Sequence, residues 1–352
     1  MLDSPSAAPN NAAVSKRKIN RRQNWRIERK QQERAERAER AATLGDEALA
    51  GGQLGGEQRG RVIARYGTQA DIEGDDLNVH RCHLRTHLGS VVAGDKVIFC
   101  AGEETGVVVA REERSTELRR PDKFGKLRSV AANVDRVIIV IAPYPEPHGG
   151  LIDRYLVATE NLGAEAVILL NKADLLDDPF LAESVDIVLE PYAPLGYTTI
   201  RAQGKFGAIE ELTRLLAGHT SILVGQSGVG KTTLVNAMLP DAQQRVSELS
   251  PDKQKGRHTT TTARLFHVPG GGALIDSPGI REFGLWHMSR DEVEQGFREF
   301  RDRIGHCRFR DCHHQSEPGC ALTDAIDSGA IHPARLDSYR RIIASLDQPL
   351  QG

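Results

Sequence analysis

At 352 residues and 39% hydrophobic content, the chain is long enough for two or three compact units with apolar cores. The formal net charge of -2 conceals a basic N-terminal stretch, since Ser15 to Ala42 carries 11 Lys/Arg against 4 Glu, and this end is suited to an acidic partner. No apolar run is long enough to cross a bilayer, no signal peptide is visible, and five unevenly placed cysteines make no disulfide framework, so a membrane or disulfide-stapled secreted protein is excluded and a cytoplasmic one expected.

Residues 1–58 hold few large apolar side chains, with charged Ala-rich repeats from Glu33 to Arg40 and a Gly/Gln linker from Gly51 to Gly60. Such a segment buries too little surface to fold alone. It reads as a solvated helix or disordered tail, or as a basic arm that orders on RNA, with Trp25 available to stack on a base. In residues 59–121 the pattern changes to short β-prone runs (Arg61–Tyr66, Ser90–Val92, Lys96–Phe99, Gly106–Val109) between Gly and Asp turns. Roughly five strands in about 60 residues fit a small β-barrel, with the OB-fold as the leading candidate.

Residues 122–286 alternate strand and helix signals, as in a parallel sheet covered by helices: strands at Asp135–Ala142, Glu165–Leu170, Thr220–Val224 and Ala273–Ile275, helices at Leu151–Leu162 and Thr232–Met238. Three motifs follow strands, where ligands sit in such sheets. The first is Asn171-Lys172-Ala173-Asp174; the Asp174 carboxylate suits guanine N1–H and the 2-amino group, donors that adenine lacks. The second is Gly225-Gln226-Ser227-Gly228-Val229-Gly230-Lys231-Thr232, a phosphate loop whose glycines let backbone N–H groups face phosphate oxygens at a helix N-terminus that Thr233 continues. Lys231 is expected on the β- and γ-phosphates, and the Thr232 hydroxyl on Mg²⁺. The third is Asp276-Ser277-Pro278-Gly279, with Asp276 as a further Mg²⁺ anchor through water and the Gly279 N–H directed at the γ-phosphate.

In an ordinary GTPase the phosphate loop comes first and Asn-Lys-x-Asp last; here the order is reversed, so the domain is read as circularly permuted, G4-G5-G1-G2-G3. Gly256 to Thr262 falls where switch I belongs, and Thr260 is the threonine expected to close over Mg²⁺ and γ-phosphate. Ile280 stands where many GTPases carry a water-orienting glutamine, which leaves His258 as the nearest candidate to orient the attacking water. The missing glutamine suits a slow enzyme that waits for an activator.

Residues 287–352 contain Cys307, Cys312, His313, His314 and Cys320 within one short stretch. Soft sulfur and nitrogen ligands at this spacing suit a closed tetrahedral structural Zn²⁺ held by Cys307, Cys312, His314 and Cys320. His313 and His314 are not both ligands, because consecutive side chains diverge. The overall expectation is a multidomain chain of N-terminal barrel, permuted α/β P-loop GTPase domain and mainly helical zinc-binding C-terminal domain.

With these residues in hand, the chain closely resembles the ribosome-small-subunit-dependent GTPases of the RsgA (YjeQ) family. The likeness runs from Arg61 onward through Arg81-Cys82, Leu118-Arg119-Arg120-Pro121, the permuted motifs, Gly256-Arg257-His258, Ile280 to Gly284 and the C-x4-C-x-H-x5-C cluster ending Glu317-Pro318-Gly319-Cys320. The resemblance implies an N-terminal OB-fold, a central permuted GTPase domain, a C-terminal zinc domain, and late maturation of the 30S ribosomal subunit, with GTP hydrolysis stimulated by that subunit and followed by release. It also places His258 on the histidine proposed as catalytic. Thr232-Thr233 departs from the two serines of many members and preserves the Mg²⁺ hydroxyl.

The leading expectation is therefore a Mg²⁺-dependent GTP hydrolase that binds 16S rRNA on the 30S subunit, alternates between GTP and GDP, carries one Zn²⁺, has no membrane partner and works as a monomer. The alternatives are an RNA-binding checkpoint in which GTP is an occupancy signal, and a permuted GTPase acting on another ribonucleoprotein. A P-loop kinase using ATP is disfavoured by Asp174.

Overall fold

Short runs that place buried residues on one face, separated by turns, make the first five strands: β1 (Leu54–Tyr66), β2 (Gln69–Gly74), β3 (Val79–Leu84), β4 (Lys96–Gly102) and β5 (Gly106–Arg111). This computed structural model describes residues 54–122, 124–202, 204–239, 263–276 and 288–346. The expected N-terminal arm lies outside them, apart from the residues that begin β1. β1 pairs with both β2 and β4, β3 pairs in parallel with β5, and β5 pairs with β4, so the strands close a barrel in the order β1-β2-β3-β5-β4. Val62, Ile72, Val97, Phe99 and Val108 fill its interior and are fully buried. Ser90–Val92, expected as a strand, is irregular chain: Val91 is buried, but the Val92 N–H is taken by the Asp95 carboxylate, which is itself buried, rather than by a neighbouring strand.

A hairpin of β6 (Glu117–Pro121) and β7 (Leu127–Ala132) leads from the barrel to the second sheet. That sheet contains β8 (Arg136–Ile141), β9 (Glu165–Leu170), β10 (Thr198–Arg201), β11 (Thr220–Val224), β12 (Arg264–Val268) and β13 (Gly272–Asp276), in the order β10-β9-β8-β11-β13-β12. All neighbours are parallel except β12 with β13. β8, β9 and β11 are near-continuous apolar runs because helices cover both faces. The side-chain alternation of β8 shows it: Val137, Ile139 and Ile141 face α1 (Gly149–Leu162) and α2 (Pro179–Leu189), whereas Ile138 and Val140 face α3 (Gly204–Leu216) and α4 (Lys231–Met238).

β12 also pairs with β1 at Arg264 and Ala64, so barrel and nucleotide sheet share one hydrogen-bonded edge. The C-terminal region packs on the other flank. Ser289 opens α5 (Arg290–Gly296) with a capping box to Glu292, and a 3-10 turn at Arg298–Arg303 precedes the cysteine-bearing loop, α6 (Ala321–Asp327) and α7 (Pro333–Leu346). Its core of Phe297, Phe300, Leu336, Tyr339 and Ile342 includes Val157 and Ala158 of α1. Gly296 permits this approach, since a Cβ there would stand 2.6 Å from Val157 Cγ1. Arg335 is only 1% exposed and is bound by Asp153 of α1 and by Glu299 at 2.6 Å. Tyr192 donates a further hydrogen bond to Asp153 at 2.8 Å. No helix among the described residues is long and apolar enough to cross a membrane.

Candidate functional site

The C-terminal ends of the parallel strands bring two of the sequence motifs together. β9 delivers Asn171 and Lys172, and β11 delivers the loop from Gly225 to Gly230 that enters α4. The two segments are hydrogen-bonded across a wide sequence gap: Asn171 Nδ2 donates to the Val229 carbonyl at 2.9 Å, and Lys172 Nζ to the Gly228 carbonyl at 2.9 Å. Lys172 holds φ 59°, the left-handed conformation that turns its side chain back over the loop.

Two glycines in the loop leave no room for a Cβ. Gly225 has φ 138°, and a Cβ there would lie 2.1 Å from the Val140 carbonyl oxygen. Gly230 has φ 100°, and its Cβ would lie 2.5 Å from Asn171 Nδ2. The Lys231 ammonium, on a side chain buried to 8% exposure, donates to the carbonyls of Gly225 at 2.6 Å and Gln226 at 2.7 Å. A primary ammonium held across the mouth of a loop at a helix start is a concentrated positive charge, the feature a polyphosphate needs.

Asp276 ends β13, the parallel neighbour of β11, and so stands at the same end of the sheet. Ala173 and Asp174 form a short 3-10 turn, with Asp174 exposed, and the Ala173 N–H is fixed by the Ala202 carbonyl at 3.1 Å. Ala202 follows β10 and was not anticipated from sequence; four residues of mixed polarity give little strand signal, and only the pairing with β9 shows where the segment lies. Ser277, Pro278, Gly279, His258 and Thr260 lie outside the described residues.

The second constellation is in the C-terminal region. The ligand atoms of Cys307, Cys312, His314 and Cys320 all lie within 4.8 Å of one another. His314 Nδ1 is 3.6 Å from Cys307 Sγ, 3.6 Å from Cys312 Sγ and 3.3 Å from Cys320 Sγ. Bond lengths to a tetrahedral zinc ion put such nitrogen–sulfur edges at about 3.6 Å, so the spacing of the imidazole from the three sulfurs fits a metal of that size. Cys320 is the N-cap residue of α6; although burial opposes it, the Thr323 backbone N–H and the His314 imidazole pull its thiol down to about 6, whereas burial and the neighbouring thiols push that of Cys312 up to about 12. The half-buried Glu317 braces the loop, its carboxylate accepting from the N–H groups of His313 at 2.9 Å, Gln315 at 2.8 Å and Ser316 at 3.1 Å.

Residues 111–286 match the family model described as RsgA GTPase. Over 337 residues, 95% of this chain and 99% of the relative, the sequence is 56% identical to the small ribosomal subunit biogenesis GTPase RsgA of Pseudomonas aeruginosa.

The chain belongs to the RsgA family of GTPases.

The RsgA of Azotobacter vinelandii is 54% identical over 342 residues, 96% of this chain and 99% of that one. The crystal structure of YjeQ from Thermotoga maritima superposes with a TM-score of 0.67 at 31% identity, covering 83% of this chain and all of that one. YloQ, described as a circularly permuted GTPase, shares the fold at a TM-score of 0.67 and 24% identity. As an RsgA-family GTPase, this chain has the permuted architecture read from its motif order, together with the five-stranded barrel and the cysteine–histidine cluster.

Proposed function

We propose that this GTPase binds the 30S ribosomal subunit through 16S rRNA and assists its late maturation, with hydrolysis stimulated by the subunit and coupled to release. The observation that carries the reading is the nearly full-length likeness to relatives named for small ribosomal subunit biogenesis. The basic charge of Ser15 to Ala42 supports a ribonucleoprotein partner. The division proposed is an arm at 1–58 whose last residues enter the first barrel strand, a barrel at 59–121, the GTPase domain at 122–286 and a zinc region at 287–352, in a monomer of the cytoplasm.

In the proposed site Asp174 accepts from guanine N1–H and the 2-amino group, while Asn171, Lys172 and Ala173 hold that loop against the phosphate loop. Gly225 to Gly230 supply backbone N–H groups to the phosphates, and Lys231 moves from the loop carbonyls to the β- and γ-phosphate oxygens. Thr232 is the Mg²⁺ ligand, with Thr233 beside it, Asp276 acts through water, and Gly279 and Thr260 close on the γ-phosphate. Bound Mg²⁺ supplies charge neutralisation of the phosphates. His258 orients the attacking water. Cys307, Cys312, His314 and Cys320 hold one structural Zn²⁺.

Phosphate release from GTP and from ATP, each with and without 30S subunits, tests the reading. Strong stimulation of GTP hydrolysis alone is expected; indifference to the subunit would direct the search to another ribonucleoprotein.

A further inference from the structure

Three sulfurs and one imidazole come from residues 307–320, yet the imidazole is held by a group outside that stretch. His314 is 6% exposed, and its two ring nitrogens face different chemistry. Nδ1 faces the three sulfurs. Nε2 lies 2.7 Å from Oε1 of Glu294, on α5. Glu294 is 8% exposed, and the same oxygen accepts from the Tyr339 hydroxyl of α7 at 2.8 Å. The Tyr339 ring in turn stands edge-on to His314, with centroids 6.0 Å apart.

We propose that Glu294 is the positioning residue of the metal centre: by accepting the Nε2 proton it fixes the His314 tautomer whose Nδ1 lone pair faces the sulfurs. A ligating histidine needs such an acceptor for its second nitrogen, because a neutral imidazole carries its proton on only one of the two, and the wrong tautomer presents an N–H to the metal. An isolated loop of four ligands would leave that choice open. Here it is made by α5, the next described element after Asp276 and one packed through Gly296 on α1 of the nucleotide domain. The metal centre is thus tied by a hydrogen-bonded carboxylate to the next described element after Asp276. A buried ion pair of purely structural value would stabilise the same helices and leave metal affinity and tautomer untouched.

The inference rests on the cluster holding zinc, and the test separates the two. Full-length protein is analysed for zinc per chain, then challenged with a chromophoric chelator, with binding of a fluorescent guanine nucleotide as the check on folding. One zinc per chain is expected for the unaltered protein. Glu294→Ala should weaken zinc retention by about 10- to 100-fold with nucleotide binding intact, and Glu294→Gln, whose amide oxygen still accepts, and Tyr339→Phe should move it the same way by less. Nitrogen-15 NMR of the zinc-loaded protein should show the His314 metal shift on Nδ1 and the proton on Nε2. Absence of zinc from the unaltered protein would overturn the zinc reading itself. Zinc present, but held equally tightly by Glu294→Ala or bound through Nε2, would overturn the positioning role. Should Glu294→Ala fail to fold, Glu294→Leu, which fills similar space without an acceptor, decides the matter.

Discussion

The nucleotide site and the metal centre are built in opposite ways. The first is assembled from chain segments far apart in sequence: Asn171-Lys172 and Gly225 to Lys231 meet, and Asp276 stands at the same sheet end, because parallel strands end side by side. The second is nearly contiguous, and its ligands come from one stretch that is braced from outside by Glu294 at the His314 ring and by Arg340 at the His314 carbonyl. A site made by strand ends survives permutation of the chain, since the sheet order and not the sequence order sets which loops touch. A site made by one loop depends on local spacing, and on whatever fixes the loop to the rest of the molecule.

The sharpest challenge to this contrast falls on the joint between the two regions. Arg335→Ala removes a guanidinium enclosed by Asp153 and Glu299 and leaves two buried carboxylates without it. Loss of about 3–5 kcal/mol in chemical denaturation is expected, with guanine-nucleotide affinity unchanged. A parallel fall in affinity would mean that the two sites are not separately built. Next in size is Gly230→Ala, which combines φ 100° with a Cβ 2.5 Å from Asn171 Nδ2. Strain of about 1–3 kcal/mol should weaken nucleotide binding by roughly tenfold or more in fluorescence titration while zinc content stays the same. Asn171→Ala deletes one of the hydrogen bonds that join the two nucleotide loops and should cost about 1 kcal/mol of the same affinity.

The smallest effect concerns pH and the metal loop. Backbone N–H groups, first that of His313 and then those of Glu317 itself, Gln315 and Ser316, hold the Glu317 carboxyl down at about 2 from its ordinary 4.5. A depressed carboxyl contributes its stabilisation above its ordinary value and loses it as pH falls toward the depressed one. The side-chain carbon shift of Glu317 should therefore stay constant through pH 4.5 and move only as pH approaches 2; a midpoint near 4.5 would remove the brace.

The uneven legibility of the sequence follows from the same contrast. The nucleotide motifs were readable because each needs particular residues directly after an apolar strand, and Val167 to Leu170 and Ile222 to Val224 are unmistakable buried runs. The cysteine spacing was readable because a metal needs few ligands close together. β2 and β3 were not individually visible: Gln69–Gly74 and Val79–Leu84 mix carboxylates, histidines and an arginine with few apolar residues, as strands of a small barrel with one wet face do. β12 was hidden likewise, since Arg264 and His267 face the seam with the barrel, where His267 Nε2 meets Glu73 at 2.7 Å. Glu294 gave no signal, because a glutamate on a short helix is ordinary until the fold brings it to an imidazole.

The central claim is that a permuted chain rebuilds a guanine-selective site around Asp174, and Asp174→Asn tests it most directly. Binding of GTP, ATP and XTP to the variant is compared with the unaltered protein. An amide in place of the carboxylate no longer accepts from both guanine donors but can donate to the 2-oxo group of xanthine, so loss of GTP binding with gain of XTP binding is predicted. Retention of GTP binding by the variant, or equal binding of ATP by the unaltered protein, would contradict the account.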